Sequence, residues 1–305
     1  MSDAEERSGG STGGPAGGPR VAVVTDSTAQ LDLATARELD VTVVPLQVVV
    51  DDEVHDEGAE GYDAGRVAEA LRARASVSTS RPGPAVLAQV YRDLAAQGYD
   101  AVLSVHLSGA VSGTHESAVL AGRQVDLRVV TVDTRQVGPA TGYAVETAVA
   151  RLRAGASIEQ AAAAARERAD AATSLFYVHT LEFLRRGGRV GAAAALLGGV
   201  LAVKPILTIA DGTVASREKV RTASKALARL ADLAVEAAGD RPVDVGVAHL
   251  ANPEPAGSLA EQLAERLAEQ LEDRPVRCGE LSAVLGVHAG PGTVAVCVAP
   301  RTDPA

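Results

Sequence analysis

Short apolar runs alternate with segments of helical spacing along this chain, and that alternation sets its fold class. Val21 to Val24 is wholly apolar and gives way to Thr25-Asp26-Ser27-Thr28, the pattern of a buried strand followed by a polar loop and a helix start. Asp26 at that strand end reads as an N-cap in preference to a metal or phosphate ligand. Val41 to Val50 predicts a second strand, which Pro45 bends or confines to an edge. Asp51 to Tyr62 reads as an acidic loop. Helical spacing covers Gly65 to Ala75 and Pro84 to Gln97, separated by the hydroxyl-rich Ser76 to Ser80. Strand Ala101 to Leu107, helix Thr114 to Arg123, strand Leu127 to Val132 and helix Gly142 to Ala154 continue the alternation. A strand–helix alternation of this kind predicts a parallel α/β sheet with helices on both faces.

A second set begins near Ser174, with strand Leu175 to Val178, helix Leu181 to Arg186 and the small-residue run Val190 to Val203. Strand Lys204 to Ala210 turns at Asp211-Gly212 into Val214 to Glu218, a hairpin signal that makes this half a mixed sheet. Helix Ser224 to Ala238, strand Val243 to His249, helix Ala256 to Glu272 and strand Val294 to Val298 complete the pattern. The expected organisation is a disordered Gly/Ser/Pro-rich tail over 1–19, an N-terminal α/β lobe over 20–170 and a C-terminal mixed-sheet lobe over 171–300. The run Val190 to Val203 reads as closely packed helix or as the lining of a narrow apolar channel. It falls short of the ~20 residues that a membrane-spanning helix needs.

Composition narrows the function classes. Hydrophobic residues make up 47% of the 305, enough for a substantial core, and alanine is so frequent that it carries little weight in placing helices. A net charge of −10 argues against a nucleic-acid-binding face. Cys278 and Cys297 lie apart without metal-ligand spacing, so neither a metal nor a cofactor is expected, and few thiols without a signal peptide point to the cytoplasm. Against the acidic background, Arg185, Arg186, Arg189, Lys204, Arg217, Lys219 and Arg221 concentrate positive charge in one half, as an electrostatic docking patch would. The same charges also suit a solvated helix end.

Three polar motifs lie where an α/β sheet binds ligands. Ser78-Thr79-Ser80-Arg81-Pro82-Gly83-Pro84 leads into a helix, where hydroxyls cap the free N–H groups or an anion settles on them. Ser108-Gly109-Ala110-Val111-Ser112-Gly113-Thr114 follows a strand and opens a helix at the carboxyl edge of the sheet. Its spacing is not that of a nucleophile elbow, and it lacks the lysine of a P-loop. Gly286-Val287-His288-Ala289-Gly290-Pro291-Gly292 sets one imidazole among glycines and a proline before a buried strand, the grammar of a tight loop. His288 there is either a turn residue or a hydrogen-bond donor to an anion.

Taken together and in order, these segments resemble the DegV family of bacterial fatty-acid-binding proteins. The resemblance rests on Thr25 to Thr28, Val43-Val44-Pro45-Leu46, Thr79 to Pro82, Leu107 to Thr114, Leu184 to Val190, Lys204 to Leu207, Glu218 to Thr222 and Gly286 to Gly292, and spans about residues 21 to 300. It implies two α/β lobes with one long-chain fatty acid between them. It also implies a separate ATP-dependent fatty acid kinase that converts the presented carboxylate to an acyl phosphate for phospholipid synthesis.

By the same resemblance, Thr79 and Ser80 hold the carboxylate, the loop from Ser108 to Ser112 adds a contact and His288 completes the set. The family usually has a second serine where this chain has Gly109, leaving Ser108, Ser112 or the Gly109 N–H for that contact. Arg81 stands where glutamine is usual, Ala289 where threonine is usual, and His115 replaces a common aromatic. The arginine and lysine concentration becomes a docking surface for the kinase. The expectation is thus a monomeric lipid carrier, not an enzyme, for which transient membrane contact is compatible. The alternative is a serine-dependent hydrolase or phosphotransferase acting on a small carboxylate or ester, using Ser108 or Ser112 with His288 and an orienting carboxylate.

Overall fold

The computed structural model describes residues 18–58, 63–196 and 204–301. It begins with β1 (Val21–Asp26), a 3-10 turn at Ser27–Ala29, α1 (Leu33–Leu39) and β2 (Val41–Val44). Next come β3 (Gln47–Val50), β4 (Glu53–Asp56), α2 (Ala64–Arg72) and β5 (Val77–Ser80). Then follow α3 (Pro84–Ala96), β6 (Ala101–His106), α4 (Thr114–Gly122), β7 (Arg128–Asp133), α5 (Pro139–Arg153) and α6 (Ile158–Ala171). The second half holds β8 (Thr173–Tyr177), α7 (Glu182–Arg186), a 3-10 stretch at Gly191–Leu196, β9 (Lys204–Ala210) and β10 (Thr213–Val220). It closes with α8 (Ala223–Ala238), β11 (Val243–His249), α9 (Pro253–Arg266), α10 (Ala268–Leu271), β12 (Arg277–Glu280), α11 (Ala283–Ala289) and β13 (Val294–Pro300).

The N-terminal lobe is built on the parallel sheet β2-β1-β6-β7. Successive side chains of a strand face opposite ways, so β1 serves two cores. Ala22 and Val24 pack with Leu87, Tyr91 and Ala118 of α3 and α4. Val23 packs with Ala144, Val145 and Ala165 of α5 and α6. The C-terminal lobe is the mixed sheet β10-β9-β8-β13-β11-β12, antiparallel except where β11 meets β12. On β13, Val294, Val296 and Val298 join the core with α8 and α9, while Cys297 and Ala299 face Ala140 and Tyr143 of α5.

Several expectations change. Pro45 does not bend one strand; it separates β2, at the edge of the parallel sheet, from β3, the centre of a small antiparallel sheet β4-β3-β5. The acidic segment after Val50 contributes β4 to that sheet. Ser78, Thr79 and Ser80 are not helix caps, because they lie on β5 and α3 starts from Gly83 and Pro84 without a side-chain cap. α6 was hidden by its own alanine content, although Ser157 and Gln160 form a reciprocal capping box at its start. The expected helix from Ala256 to Glu272 divides into α9 and α10 at Leu267. Gly286 to Ala289 are the end of α11 rather than a loop, and only from Gly290 does the backbone turn. Residues 1–17 of the expected tail and 197–203 of the apolar run lie outside the described residues.

Polar contacts at several points join the halves. Ser108 Oγ donates to the Gly212 carbonyl at 2.7 Å and Arg135 pairs with Asp211 at 2.8 Å, so the loops after β6 and β7 grip the turn between β9 and β10. On the opposite side, the buried Arg168 guanidinium of α6 pairs with Asp244 of β11 and donates to the Pro300 carbonyl. Arg274 reaches the second Asp244 oxygen at 3.1 Å. Removing one partner of a buried pair leaves the other charge uncompensated. Asp244→Ala is therefore expected to cost about 3–5 kcal/mol in urea unfolding. The double change Arg168→Met, Asp244→Leu should recover most of that loss.

Candidate ligand-binding site

α11 is short, and its neighbours fix it. Ser282 caps it by accepting from the Leu285 N–H, and Glu57 of the distant N-terminal lobe accepts from Ser282 Oγ at 2.7 Å and the Val284 N–H at 3.0 Å. Val284 and Val287 share a core with Leu46, Val48 and Val67 around the small sheet. Gly290 ends the helix at φ +82°, a conformation that favours glycine, and a Cβ there would fall 2.1 Å from the Phe183 ring. This docking places His288 in the last turn, facing β5. Thr79 Oγ1 lies 2.9 Å from His288 Nε2. Gly187, at the end of α7, lets the ring approach so closely that a Cβ would come within 2.1 Å of Nδ1.

The Thr79–His288 pair marks the polar end of a cavity of about 400 Å³, within the range of small-molecule sites. Ser80, Arg81, Ser112 and Arg189 also border that end. The remaining walls are mainly apolar, with Leu46, Leu107 and Val137 from the N-terminal half and Phe176, Ile209 and Leu285 from the C-terminal half, and Ser174 and Thr293 as further polar residues. Burial lowers the His288 pKa to about 4, with the nearby Arg189 charge acting in the same direction. The imidazole is therefore neutral near pH 7 and pairs with a hydroxyl rather than an acid. A mainly apolar cavity that carries hydroxyl, imidazole and guanidinium donors at one end suits an amphiphile with a small anionic head.

The expected contacts separate into those on the cavity and those beside it. Thr79, Ser80, Ser112 and His288 border it. Ser80 is exposed and donates only weakly, to the Arg81 carbonyl at 3.4 Å. Ser112 Oγ bonds Thr114 Oγ1 at 2.9 Å. Ser108 is fully buried and turned to Gly212, and the Gly109 N–H is already donated to Asp133 Oδ1 at 3.1 Å. Of the three ways to replace the missing family serine, Ser112 is the one on the cavity wall.

Among the expected docking cations, Arg189 also borders the cavity. Arg186 pairs with Glu182 at 2.8 Å and Lys204 Nζ donates to the His179 carbonyl at 3.0 Å. Arg185, Arg217, Lys219 and Arg221 are exposed. Arg81, noted in the sequence only as a departure from glutamine, proves to line the cavity mouth, and its charge was the signal.

The hydrolase alternative needs a carboxylate on His288, and the ring's hydrogen-bond partner among the described residues is Thr79. A serine–histidine–aspartate chain does exist elsewhere, in which Ser104 Oγ lies 2.8 Å from His106 Nε2 and His106 Nδ1 lies 2.9 Å from Asp26 Oδ2. All three are fully buried in the parallel sheet, with Tyr91 closing the far end at 2.8 Å from Ser104. Asp26 also accepts from the Thr28 N–H, the capping role that its position predicts. No cluster of metal-ligating side chains occurs among the described residues, and no helix among them is long and apolar enough to cross a membrane.

The family model described as "Uncharacterised protein, DegV family" matches residues 20–301. The chain belongs to the DegV family. A DegV domain-containing protein of Streptomyces coelicolor is 44% identical over 92% of this chain and 99% of that relative. Among solved structures, a DegV family protein of Thermus thermophilus described for its fatty acid binding superposes with a TM-score of 0.84. It is 32% identical, covering 92% of this chain and 100% of that one. The Bacillus subtilis DegV, described as a fatty acid binding protein, gives the same TM-score at 31% identity, over 93% of this chain and 100% of that one. The two-lobe architecture, parallel sheet first and mixed sheet second, is the one these DegV structures share.

The lowered His288 pKa has a consequence for stability. The unfolded chain binds a proton at this residue near its ordinary value of 6.5, whereas the folded chain does so only near 4. The burial of neutral His288 therefore stabilises the fold fully above about pH 6.5, and that contribution is lost as pH falls towards 4. Urea midpoints measured across this window should fall less steeply in His288→Gln than in the unsubstituted protein.

Proposed function

We propose that the chain binds one long-chain fatty acid in this cavity and presents its carboxylate to a separate ATP-dependent kinase for phospholipid synthesis. The observation that carries the reading is the cavity itself, an apolar pocket between the lobes whose polar end is the Thr79–His288 pair. The fatty acid binding described for the Thermus and Bacillus proteins supports the same ligand class. Tail burial supplies the affinity at about 0.8 kcal/mol per CH₂. Roughly 14 methylenes would give on the order of 11 kcal/mol before ordering costs. Thr79, Ser80, Ser112 and His288 orient the head group through neutral donors, which leave the carboxylate oxygens nucleophilic.

In the kinase complex, a carboxylate oxygen attacks the γ-phosphorus of ATP, the bond to the β,γ-bridging oxygen breaks, and ADP leaves an acyl phosphate behind. The nucleotide belongs to the partner's site. Arg185, Arg186, Arg217, Lys219 and Arg221 form the docking surface in this reading, with Arg189 and Lys204 at its inner border. A cytoplasmic monomer without a cofactor fits such a carrier, as does transient contact with a membrane surface during loading.

Native mass spectrometry of the purified protein should show a non-covalent mass matching a long-chain fatty acid, whereas a covalent acyl-serine would overturn the carrier reading. His288→Ala is expected to retain bound lipid while phosphorylation by the cognate kinase falls about 10- to 100-fold, the loss of one hydrogen bond to a charged group. Equal loss of binding and phosphorylation would contradict this division between tail and head. Reversing the charges of Arg185 and Arg217 together should lower the kinase-coupled rate about 10-fold through slower association and leave lipid content intact. A lipid-depleted product would refute the docking assignment.

A further inference from the structure

The cavity carries polar atoms again at the end away from His288. Thr293, just before β13, donates to the Ala289 carbonyl of α11 at 3.1 Å and so marks the His288 end. Cys297 lines the same cavity four residues further along the chain, roughly 13 Å deeper at about 3.4 Å per residue. There the pairing register sets Gly246 of β11, Cys297 of β13 and Ser174 of β8 side by side across three strands. All three line the cavity, and their small side chains leave room for a guest.

Tyr143 of α5 stands over this row. A Cβ on Gly246 would fall 3.3 Å from the Tyr143 hydroxyl oxygen and 3.1 Å from Pro139 Cβ. Tyr143 is only 2% exposed, yet its hydroxyl has no hydrogen-bond partner among the described residues. Buried phenols ordinarily find one. The Arg168 and Arg277 guanidiniums lie 5.7 and 5.1 Å from the ring centre, so packing fixes where the hydroxyl points. Two more polar groups sit in the row itself. Ser174 Oγ donates to Gln136 Oε1 at 2.9 Å, which leaves its lone pairs free to accept. Burial pushes the Cys297 thiol up to about 12, so it stays neutral. The Arg168 charge behind the row is already paired with Asp244, and a neutral oxygen therefore suits this place better than a second carboxylate.

An all-carbon tail lying here would leave the phenol O–H unpaired, whereas an oxygen on the tail would accept from it. We propose that the deep row is a subsite for a hydroxyl carried on the distal part of the ligand's tail, with Tyr143 as its donor. Extended carbon chains advance about 1.25 Å per carbon, given C–C bonds of ~1.52 Å near the tetrahedral angle, so this depth corresponds to roughly ten carbons. The ligand class is then a long-chain hydroxy fatty acid oxygenated beyond mid-chain. Such a ligand is still a fatty acid, so the subsite rests on the reading above and specifies the tail that it left open.

Displacement of a fluorescent fatty acid tests the subsite, with octadecanoate, 12-hydroxyoctadecanoate and 2-hydroxyoctadecanoate as competitors. The readout is the affinity for each hydroxy acid relative to that for octadecanoate, so a general loss of binding cancels. Tyr143→Phe removes the hydroxyl and keeps the ring between its two arginines, and circular dichroism checks that the variant is folded. The 12-hydroxy ratio should fall about 10-fold in that variant, through loss of one hydrogen bond and removal of the unpaired phenol that penalises the plain tail. The 2-hydroxy ratio should not move, because that oxygen sits at the head. An unchanged 12-hydroxy ratio, or an equal fall in both ratios, overturns the subsite and leaves the fatty-acid reading standing. If none of the three acids displaces the probe, both fall.

Discussion

The hydrogen bond between Thr79 and His288 is the contact on which the site depends. It joins residues 209 positions apart in the chain, and each partner is placed by packing that has nothing to do with a ligand. Thr79 is set by its pairing with Val48 across β5 and β3. His288 is set by α11, which Glu57 holds at one end and the Gly290–Phe183 packing at the other. The small antiparallel sheet, α11 and α7 therefore act as one mount for a polar pair at the end of an apolar cavity. The cost of burial there falls on the imidazole, which stays neutral near pH 7 because desolvation and the nearby Arg189 charge both disfavour its protonation.

Most of the scaffold was legible because its signals are local. β1, β6 and β11 are valine-rich or otherwise mainly apolar segments bounded by polar or turn residues, and the hairpin at Asp211-Gly212 follows from turn chemistry. Legibility failed where the signal is tertiary. β12 reads Arg277-Cys278-Gly279-Glu280 and is exposed throughout, so no periodicity reveals it; only its parallel pairing with β11 makes it a strand. α11 contains Gly286, which in sequence marks a break, yet that glycine lies inside the helix because Leu250 packs directly against it. α6 failed for the opposite reason, since a composition rich in alanine hides a real helix among accidental ones.

The site residues divide along the same line. Thr79, Ser80, Ser112 and His288 carry a motif that points to one place, and the fold brings them to one cavity end. Ser108 belongs to the same motif but answers to a different constraint. Gly212, at φ +77°, turns its carbonyl towards the loop after β6, and Ser108 is the hydroxyl within reach. A serine in a ligand loop can thus be a fastener between lobes. The Ser104–His106–Asp26 chain makes the same point for catalysis, because correct hydrogen-bond geometry without access is core structure.

Strand β10 lies at the outer edge of the mixed sheet, with a register shift between Ser216 and Glu218 and with Arg217 and Lys219 exposed along it. An open strand edge is a template for another chain's backbone, and bulges and cations are the usual means of spoiling it. Arg217 and Lys219 would thus guard against self-association even in a cell that offered no partner to dock.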